Sequence, residues 1–288
     1  MDLQLLNKLA VVTGSTGEGI GYAIALELAK QGAYVVINGR SDLSVQASVQ
    51  SMLKELNDHQ KNGKDVQMRV FGVVGNIGTM EGVKHFIVNV NKVEKELNTP
   101  VEILVNNVGI FHSQDYFELS DEKWMDYYNI NVMSGERLSR HYLKEMLKDE
   151  RRASHGRILF ISSEAGVRAL PNMIPYSVSK ASQITLARGL SELTKGADCN
   201  VTVNSVLPGP TMTGGVKAYM KQFAEQKNID SLDNAMKIYF QEFEPTSLHQ
   251  RFLEPSEFAN VVAFLCSPLA SGINSCAQRV EGGIIRHI

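Results

Sequence analysis

The sequence predicts a single-domain α/β protein built on a doubly wound parallel sheet, and three observations support this prediction. Short, nearly continuous apolar runs recur along the 288 residues, which is typical of strands buried on both faces of a sheet. These runs alternate with longer segments of helical periodicity, and crossovers of that length connect parallel strands. No internal repeat, low-complexity tract or linker interrupts the chain, so we expect one domain over residues 1–288.

The elements follow one another in a regular order from the first strand. The run from Lys8 to Thr13 ends in glycines, and the helical segment behind it ends at Gly32, a residue type that often terminates helices. Acidic residues at 121 and 122 begin a long helix and basic residues at 148, 151 and 152 end it, which are the signs that the helix dipole favours. We expect strands at residues 8–13, 33–38, 67–74, 101–106, 156–162, 200–206 and 277–280, and helices at residues 20–31, 43–60, 80–97, 121–149, 176–193 and 255–265.

One segment, at about residues 212–252, breaks this alternation. It is long for a connection, and it carries aromatic and aliphatic residues at helical intervals among many charges. Connections of this length are usually either functional lids or disordered. The helical spacing favours a helical lid inserted into the single domain.

Composition excludes several classes of protein. Hydrophobic residues make up 43% of the chain and charged residues 21%, as in ordinary soluble globular proteins. The net charge of -2 and the pI near 6.4 provide no basic field for nucleic acid or an anionic membrane. The first residues lack the basic flank and apolar run of a signal peptide, and no apolar stretch is long enough to span a bilayer. We therefore expect a cytoplasmic protein.

The cysteines indicate neither a disulfide framework nor a metal centre. Cys199, Cys266 and Cys276 are odd in number and far apart, without the paired spacing of a metal site. We expect three reduced thiols in or near the core, and no bound metal.

A glycine-rich stretch from Thr13 to Gly21 lies between the first strand and the first helix. In that setting a dinucleotide pyrophosphate sits on the helix N-terminus, and glycines allow the backbone to approach the phosphates. The spacing is not G-x-G-x-x-G, because Tyr22 occupies the place of the last glycine. A glycine-rich turn without a ligand is the alternative, but the strand-turn-helix context favours nucleotide binding.

The residues after the second strand bear on the choice of nucleotide. An acid at this place usually holds the ribose hydroxyls of NAD, whereas an arginine accommodates the 2′-phosphate of NADP. The sequence reads Asn38-Gly39-Arg40-Ser41, with no acid before Asp42. It therefore favours NADP over NAD, the alternative being that Arg40 is simply a solvated surface residue.

The stretch around Tyr176 and Lys180 has the clearest chemical content. Residues four apart stack on one face of a helix, so these two side chains are expected to lie side by side. A positive charge within about 4 to 6 Å favours the phenolate, which predicts a lowered pKa for Tyr176. Ser163 adds a hydroxyl that can hold a carbonyl oxygen next to the phenol. The spacing alone also arises by chance in many helices, so it needs support from the rest of the chain.

That support comes from the order of several motifs along the chain. From about residue 8 to residue 283 the sequence resembles the short-chain dehydrogenase/reductase family. The resemblance implies a Rossmann-like fold with a helical substrate lid. The motifs that carry it are the Thr13 to Gly21 loop, Asn106-Asn107-Val108-Gly109, an asparagine on the long helix, a serine thirteen residues before the tyrosine, Tyr-x-x-x-Lys, and Pro208-Gly209.

The resemblance implies four catalytic residues. Ser163 would hydrogen-bond the substrate oxygen, and Tyr176 would be the general acid in reduction and the base in oxidation. Lys180 would lower the Tyr176 pKa and bind the nicotinamide ribose. Asn131 would hold a water that links Lys180 to solvent as a proton relay, with Asn129 as the competing candidate; a mid-helix asparagine can also simply satisfy a kink.

The resemblance also implies where the cofactor binds. Tyr176 and Lys180 would contact it from the catalytic set, and Arg40 would bind the 2′-phosphate. The remaining implied cofactor residues are Gly14, Ser15, Gly19, Ile20 and Gly21 at the pyrophosphate, Asn76 and Ile77 at the adenine, Asn107, Val108 and Gly109 at the adenosine ribose, and Pro208, Gly209, Thr211 and Thr213 at the nicotinamide.

Three positions depart from the family pattern. One extra residue lies between Gly14 and Gly19, which changes the path of the loop at the phosphates. Asn76 stands where members usually have an aspartate, although an amide can both donate and accept. Val108 replaces the usual alanine beside the adenosine, which reduces the room there.

The leading functional hypothesis is an NADP(H)-dependent oxidoreductase that transfers a hydride between the nicotinamide and a small-molecule carbonyl or secondary alcohol. A 3-oxoacyl-carrier-protein reductase-like enzyme is one alternative; weak support comes from Arg168, Lys217 and Lys221. A non-catalytic nucleotide-sensing regulator is an alternative of a different class, although Ser163, Tyr176 and Lys180 are all retained.

The sequence also bears on assembly. Small residues are frequent on the Tyr176 helix, which permits close approach by another helix, although internal packing is the simpler explanation. The family resemblance implies that this helix and the helix at 121–149 pair across a two-fold axis. We expect a homotetramer, with a homodimer as the smaller alternative.

Overall fold

The computed structural model describes residues 1–59, 69–113, 115–148, 155–196 and 200–287, and the fold is built from alternating strands and helices. The predicted boundaries at residues 60, 67 and 149 lie outside these ranges, as do Arg151, Arg152 and Cys199. The strands are β1 (Leu9–Val12), β2 (Tyr34–Gly39), β3 (Val70–Val74), β4 (Val101–Asn106), β5 (Gly156–Ile161), β6 (Val201–Pro208) and β7 (Ala277–Val280). The main helices are α1 (Ile20–Lys30), α2 (Asp42–His59), α3 (Met80–Leu97), α4 (Asp121–Tyr127), α5 (Ser134–Met146), α6 (Ile174–Glu192), α7 (Gly214–Gln226), α8 (Leu232–Phe243) and α9 (Pro255–Cys266).

The strands form one sheet in the order β3-β2-β1-β4-β5-β6-β7, and neighbouring strands are parallel throughout. One apolar core lies on the face covered by α1, α2 and α9, and a second lies on the face covered by α3, α5 and α6. The predicted doubly wound α/β fold is therefore confirmed. The strand order reverses between β1 and β4, which is where such sheets open a crevice for ligands at their carboxyl ends.

The long helix predicted at 121–149 is not continuous. It consists of α4 and α5, separated by a π-helical turn at Tyr128–Met133. The apolar pattern continues through this turn, so the sequence does not reveal it. π-helical turns inside helices are frequent at functional sites because they disrupt the regular hydrogen-bond ladder. Here the turn carries the predicted catalytic residue Asn131.

The segment at 212–252 contains two helices, as the helical spacing predicted. α7 and α8 pack on each other through a small apolar cluster of their own, separate from the two cores on the sheet. Aromatic rings dominate it: the Tyr239 and Phe252 rings stack with their centroids 5.2 Å apart, and Phe240 meets Phe252 edge-on at 4.9 Å. The segment thus folds as a compact helical unit, and its role as a substrate lid stays a prediction.

A buried cation lies at the end of the sheet opposite the crevice. Arg157 on β5 is fully buried, and its guanidinium donates to the main-chain oxygens of Asn200 at 2.8 Å and Ser267 at 3.3 Å. Close by, His155 contacts the main-chain oxygen of Cys266 at 2.8 Å, and burial lowers the pKa of this imidazole to about 3. Composition and motifs did not indicate this cluster. It joins β5 to β6 and to the end of α9 by charged and main-chain contacts.

Within the described ranges, no helix has both the length and the apolar character needed to cross a bilayer. Cys266 is buried and Cys276 is partly buried, and both are free thiols.

Candidate active site

The glycine-rich loop turns sharply at the carboxyl end of β1. Gly14 has φ of +59°, a conformation that side-chain-bearing residues rarely adopt, and a Cβ there would lie 2.9 Å from Val108 Cγ2. Asn107 braces the loop from the end of β4, because its Nδ2 donates to the main-chain oxygens of Thr13 at 3.0 Å and Gly14 at 2.9 Å. The Asn107 side chain is therefore committed to the shape of the loop, which leaves its main chain for the ribose contact that the family resemblance implies.

The loop leaves the N-terminus of α1 open. Gly19 is the N-cap of α1, no side chain of the described residues caps the helix, and no acidic residue lies in its first turn. A Cβ added at Gly17 or Gly19 would meet nothing within 4 Å, so these glycines face open space. Unsatisfied N–H groups at a helix N-terminus form an anion site, which a side-chain cap would otherwise fill. The loop therefore fits a dinucleotide pyrophosphate despite its extra residue.

Sequence reasoning missed Asn38, which organises the ends of three strands. Its Nδ2 donates to the main-chain oxygens of Val73 at 3.2 Å and Gly75 at 3.1 Å, and its Oδ1 accepts from Gly14 N at 3.4 Å. Ser15, a predicted cofactor residue, is fully buried, and its hydroxyl accepts from Asn38 N at 3.0 Å. The Ser15 side chain thus supports the loop from inside. A polar residue at the end of an apolar strand was the signal for Asn38.

Arg40 lies at the predicted place, exposed between the end of β2 and the start of α2. The glycine loop reaches this strand end, since a Cβ at Gly39 would lie 2.7 Å from Thr16 Cγ2. Ser41 precedes α2, and its hydroxyl accepts from Ser44 N at 3.3 Å. A cation and a helix N-terminus therefore adjoin the glycine loop, an arrangement that suits a phosphate.

Ser163 and Tyr176 meet where β5 gives way to a short turn. Ser163 is buried, and its hydroxyl accepts from Ala165 N at 3.1 Å, which fixes the turn. The turn is held against α6, because Ser162 Oγ donates to the main-chain oxygen of Lys180 at 2.8 Å. The Ser163 hydroxyl is close enough to the Tyr176 hydroxyl to lower the pKa of the phenol. The two hydroxyls that the sequence assigned to one carbonyl oxygen are therefore adjacent.

The expected lowering of the Tyr176 pKa is not what the structure gives. Burial raises the pKa of this phenol to about 12; the hydrogen bond from Ser163 lowers it, and the charges of Glu164 and Tyr127 raise it further. Lys180 does lie beside the ring, with Nζ 5.6 Å from the ring centroid. Burial lowers the pKa of Lys180 itself to about 7, so desolvation acts on both side chains and prevails over the effect that their spacing predicted.

Lys180 and Asn131 lie together beneath Gly109. A Cβ at Gly109 would lie 3.4 Å from Lys180 Nζ and 3.5 Å from Asn131 Oδ1, so the glycine permits a close approach of the main chain. Asn131 is fully buried, whereas the competing Asn129 is partly exposed. The Asn131 side-chain amide hydrogen-bonds the main chain of Ile110: Oδ1 accepts from N at 2.7 Å, and Nδ2 donates to O at 3.0 Å. This placement favours Asn131 over Asn129; its role in a proton relay stays a prediction.

The remaining predicted cofactor residues lie at the carboxyl end of the sheet in different environments. Asn76 is exposed and accepts from Gly78 N at 3.3 Å, whereas Ile77 packs its side chain into an apolar core. Pro208 ends β6, and Thr211 donates to the main-chain oxygen of Gly209 at 2.8 Å.

Three more of these residues belong to α1 and to the helical segment. Ile20 and Gly21 form the first turn of α1, and a Cβ at Gly21 would lie 2.3 Å from Asn107 Nδ2. Thr213 caps α7 by accepting from Val216 N at 3.3 Å. The predicted nicotinamide segment therefore runs directly into the helices of the proposed lid.

A partly buried ionic cluster, also missed by sequence reasoning, links the turn after β5 to those helices. Arg168 Nη2 donates to Glu244 Oε2 at 2.6 Å, just after α8, and lies 3.7 Å from Glu164 Oε1, next to Ser163. Burial raises the pKa of Glu164 to about 7; Arg168 lowers it and Glu244 raises it. The cluster couples the position of Ser163 to the end of the helical segment.

The sheet and the glycine loop together define an α/β protein of the dinucleotide-binding class. A family model for short chain dehydrogenases matches residues 8–224, and the chain belongs to this family. It is an oxidoreductase, and its Ser163, Tyr176 and Lys180 side chains lie together at the carboxyl end of the sheet.

Individual relatives agree with this assignment. The chain is 46% identical to the uncharacterized oxidoreductase YvrD of Bacillus subtilis (strain 168) over 288 residues, covering 100% of both chains. It is 31% identical to the 3-oxoacyl-[acyl-carrier-protein] reductase FabG of Aquifex aeolicus (strain VF5), covering 99% of this chain and 100% of the relative. Among solved structures, L-sorbose reductase from Gluconobacter frateurii, in complex with NADPH and L-sorbose, superposes with a TM-score of 0.85 at 28% identity, covering 100% of both chains.

Proposed function

We propose that this protein is an NADP(H)-dependent oxidoreductase that interconverts a carbonyl compound and a secondary alcohol. One observation carries the proposal: the segment Asn107–Gly109 hydrogen-bonds the glycine loop at one end and passes beside Lys180 at the other, where a Cβ at Gly109 would lie 3.4 Å from Nζ. A dinucleotide on the loop would therefore extend toward the Ser163 and Tyr176 hydroxyls. The NADPH complex of the L-sorbose reductase adds support for the choice of cofactor.

The chemistry follows from the side chains of the site. When bound, the nicotinamide supplies a hydride to the carbonyl carbon in reduction and accepts it in oxidation. The Tyr176 hydroxyl donates its proton to the carbonyl oxygen, and the Ser163 hydroxyl donates a hydrogen bond to the same atom. The Lys180 ammonium stabilises the phenolate that this transfer leaves behind. One hydride and one proton convert the carbonyl to the alcohol, and oxidation reverses both transfers.

A substrate screen tests this proposal. We expect NADPH oxidation at 340 nm with some members of a panel of ketones, ketoses, 2-oxo acids and 3-oxoacyl thioesters, and weaker activity with NADH. Activity confined to 3-oxoacyl groups on a carrier protein would select the acyl-carrier-protein reductase alternative, to which the FabG relative lends support. NADPH binding without turnover of any compound would contradict catalysis and favour the nucleotide-sensing regulator.

We also propose that the protein assembles as a homotetramer, through α5 and α6. Apolar side chains on and just after α6 are exposed in the single chain, Val178 by 46% and Leu193 by 61%, which suits a helix covered by another copy. Multi-angle light scattering should give four times the mass of one chain, and a monomer at micromolar concentration would contradict the proposal. A mass of two chains would select the homodimer, the smaller alternative.

A further inference from the structure

Gln183 makes two contacts that link the predicted catalytic lysine to the π-helical turn. Lys180 Nζ donates to Gln183 Oε1 at 3.0 Å, and Gln183 Nε2 donates to the main-chain oxygen of Asn131 at 2.6 Å. Gln183 is 1% exposed, and Lys180 is 4% exposed. The two side chains lie one turn apart on the same face of α6, and Asn131 belongs to a different helical segment.

The other contacts of these residues leave Gln183 as a specific partner of the ammonium. Asn131 uses its side-chain amide on Ile110 and donates from Nδ2 to Ser179 Oγ at 2.9 Å. Within the part of the chain that the structure describes, Lys180 Nζ has one further hydrogen bond, to the main-chain oxygen of Ile161 at 2.8 Å. Among these hydrogen bonds, those of the Gln183 amide are the ones that link the Lys180 ammonium to Asn131.

At this place an amide has fixed donor and acceptor atoms, unlike a water molecule. Its oxygen only accepts and its NH2 group only donates, so the direction of each hydrogen bond is fixed by its neighbours. With Nε2 tied to a carbonyl oxygen, Oε1 must face Nζ. Hydrogen bonds from an ammonium to neutral acceptors stabilise the charged form, which offsets part of the cost of burying it.

We propose that Gln183 is a positioning residue for the catalytic lysine, and that its amide holds the Lys180 ammonium in place against the Asn131 main chain. The role in catalysis rests on the proposed function, because it presumes that Lys180 assists proton transfer at Tyr176. Gln183 touches neither substrate nor cofactor in this scheme and acts through Lys180.

The other titratable groups near the site act on the pKa of the phenol. Glu164, on the turn after β5, and Tyr127, on α4, both raise the pKa of Tyr176, whereas burial is the cause of the lowered pKa of Lys180. A change at residue 183 should therefore appear in the titration of Lys180 first.

Two variants at residue 183 test the proposal with opposite expected signs. Gln183→Met keeps the volume and removes both hydrogen bonds, so we expect the Lys180 pKa to fall by about one pH unit. Gln183→Glu places a carboxylate beside the ammonium and should raise the Lys180 pKa. A residue that serves packing alone gives no such reversal of sign.

The direct measurement is a pH titration of the Lys180 ¹³Cε signal by NMR, with the signal assigned from its loss in Lys180→Met. Where turnover is measured, the alkaline limb of kcat/KM against pH should move to lower pH in Gln183→Met, with about a tenfold loss on that limb, and to higher pH in Gln183→Glu. Gln50→Met, at an exposed position of α2, is the control and should leave both profiles unchanged.

The two readouts separate the possible failures. If Gln183→Met does not fold, Gln183→Leu, which also removes both hydrogen bonds, takes its place in the titration. An unchanged Lys180 titration, or shifts of the same sign in both variants, would overturn the role of Gln183. A wild-type protein that binds NADPH and reduces no carbonyl compound would instead overturn the proposed function, and the titration would still decide the contact between Gln183 and Lys180.

Discussion

The Tyr176→Phe protein is expected to lose carbonyl reduction by about 10²- to 10⁴-fold while it binds NADPH with the affinity of the wild type. The substitution removes one oxygen atom, the proposed proton donor, and keeps the ring that lies 6.2 Å from Phe111. Ser163 can still hydrogen-bond a carbonyl oxygen, but it no longer has a phenol beside it from which to recover a proton that it gives up. Steady-state kinetics and a fluorescence titration of NADPH measure the two quantities separately.

Tyr34→Phe provides a matched control, because Tyr34 lies at the amino end of β2, whereas the crevice lies at the carboxyl ends of the strands. It removes the same hydroxyl group and should change kcat by less than about twofold. A Tyr176→Phe protein that retained a tenth or more of wild-type activity would rule out Tyr176 as the proton donor. Loss of NADPH binding in that variant would instead point to the cofactor contact that the family resemblance implies for Tyr176.

Arg40→Ala should weaken NADPH by about 10- to 100-fold and leave NADH within about twofold. A charge-assisted hydrogen bond between a guanidinium and a phosphate contributes about 1.5 to 3 kcal/mol, which corresponds to that loss of affinity. NADH has no 2′-phosphate, so its affinity should not depend on the Arg40 side chain. Dissociation constants for both nucleotides, measured by fluorescence at fixed ionic strength, give the comparison.

Lys84→Ala is the control for net charge, because it removes one positive charge from an exposed position of α3. It should change neither dissociation constant by more than about twofold, since exposed charges further apart than about 10 Å are screened at 0.1 M salt. Equal weakening of NADPH and NADH by Arg40→Ala would exclude a contact with the 2′-phosphate. In that case Arg40 would be the solvated surface residue that the sequence also allowed.

Local patterns predicted most of the elements. The bounds of α3, β4 and β7 agree with the expected ranges, and for α3 the ends are marked by Thr79, which caps the helix, and Asn98, which adopts a left-handed conformation. Each of these signals lies within a few residues of the structure that it specifies. The π-helical turn at Tyr128–Met133 was not predicted, because the apolar pattern continues through it.

The candidate site likewise contains residues that the sequence identified and residues that it did not. The motifs singled out Ser163, Tyr176 and Lys180, and the structure brings these three together. Asn38 was missed because its partners belong to β3 and to the glycine loop, which only the folded sheet brings to one place. Gln183 stands three residues after Lys180 in the sequence, but its contact with Asn131 spans 52 positions along the chain.

By itself, the sequence determined the class of fold, the family and the side chains available for proton transfer, because periodicity and motif spacing are local properties. Only the tertiary structure decided the electrostatics of those side chains. The spacing of Tyr176 and Lys180 predicted a phenol with a lowered pKa, yet burial raises that pKa to about 12 and lowers that of Lys180 to about 7. Desolvation depends on everything packed around a group, and no spacing along the chain encodes it.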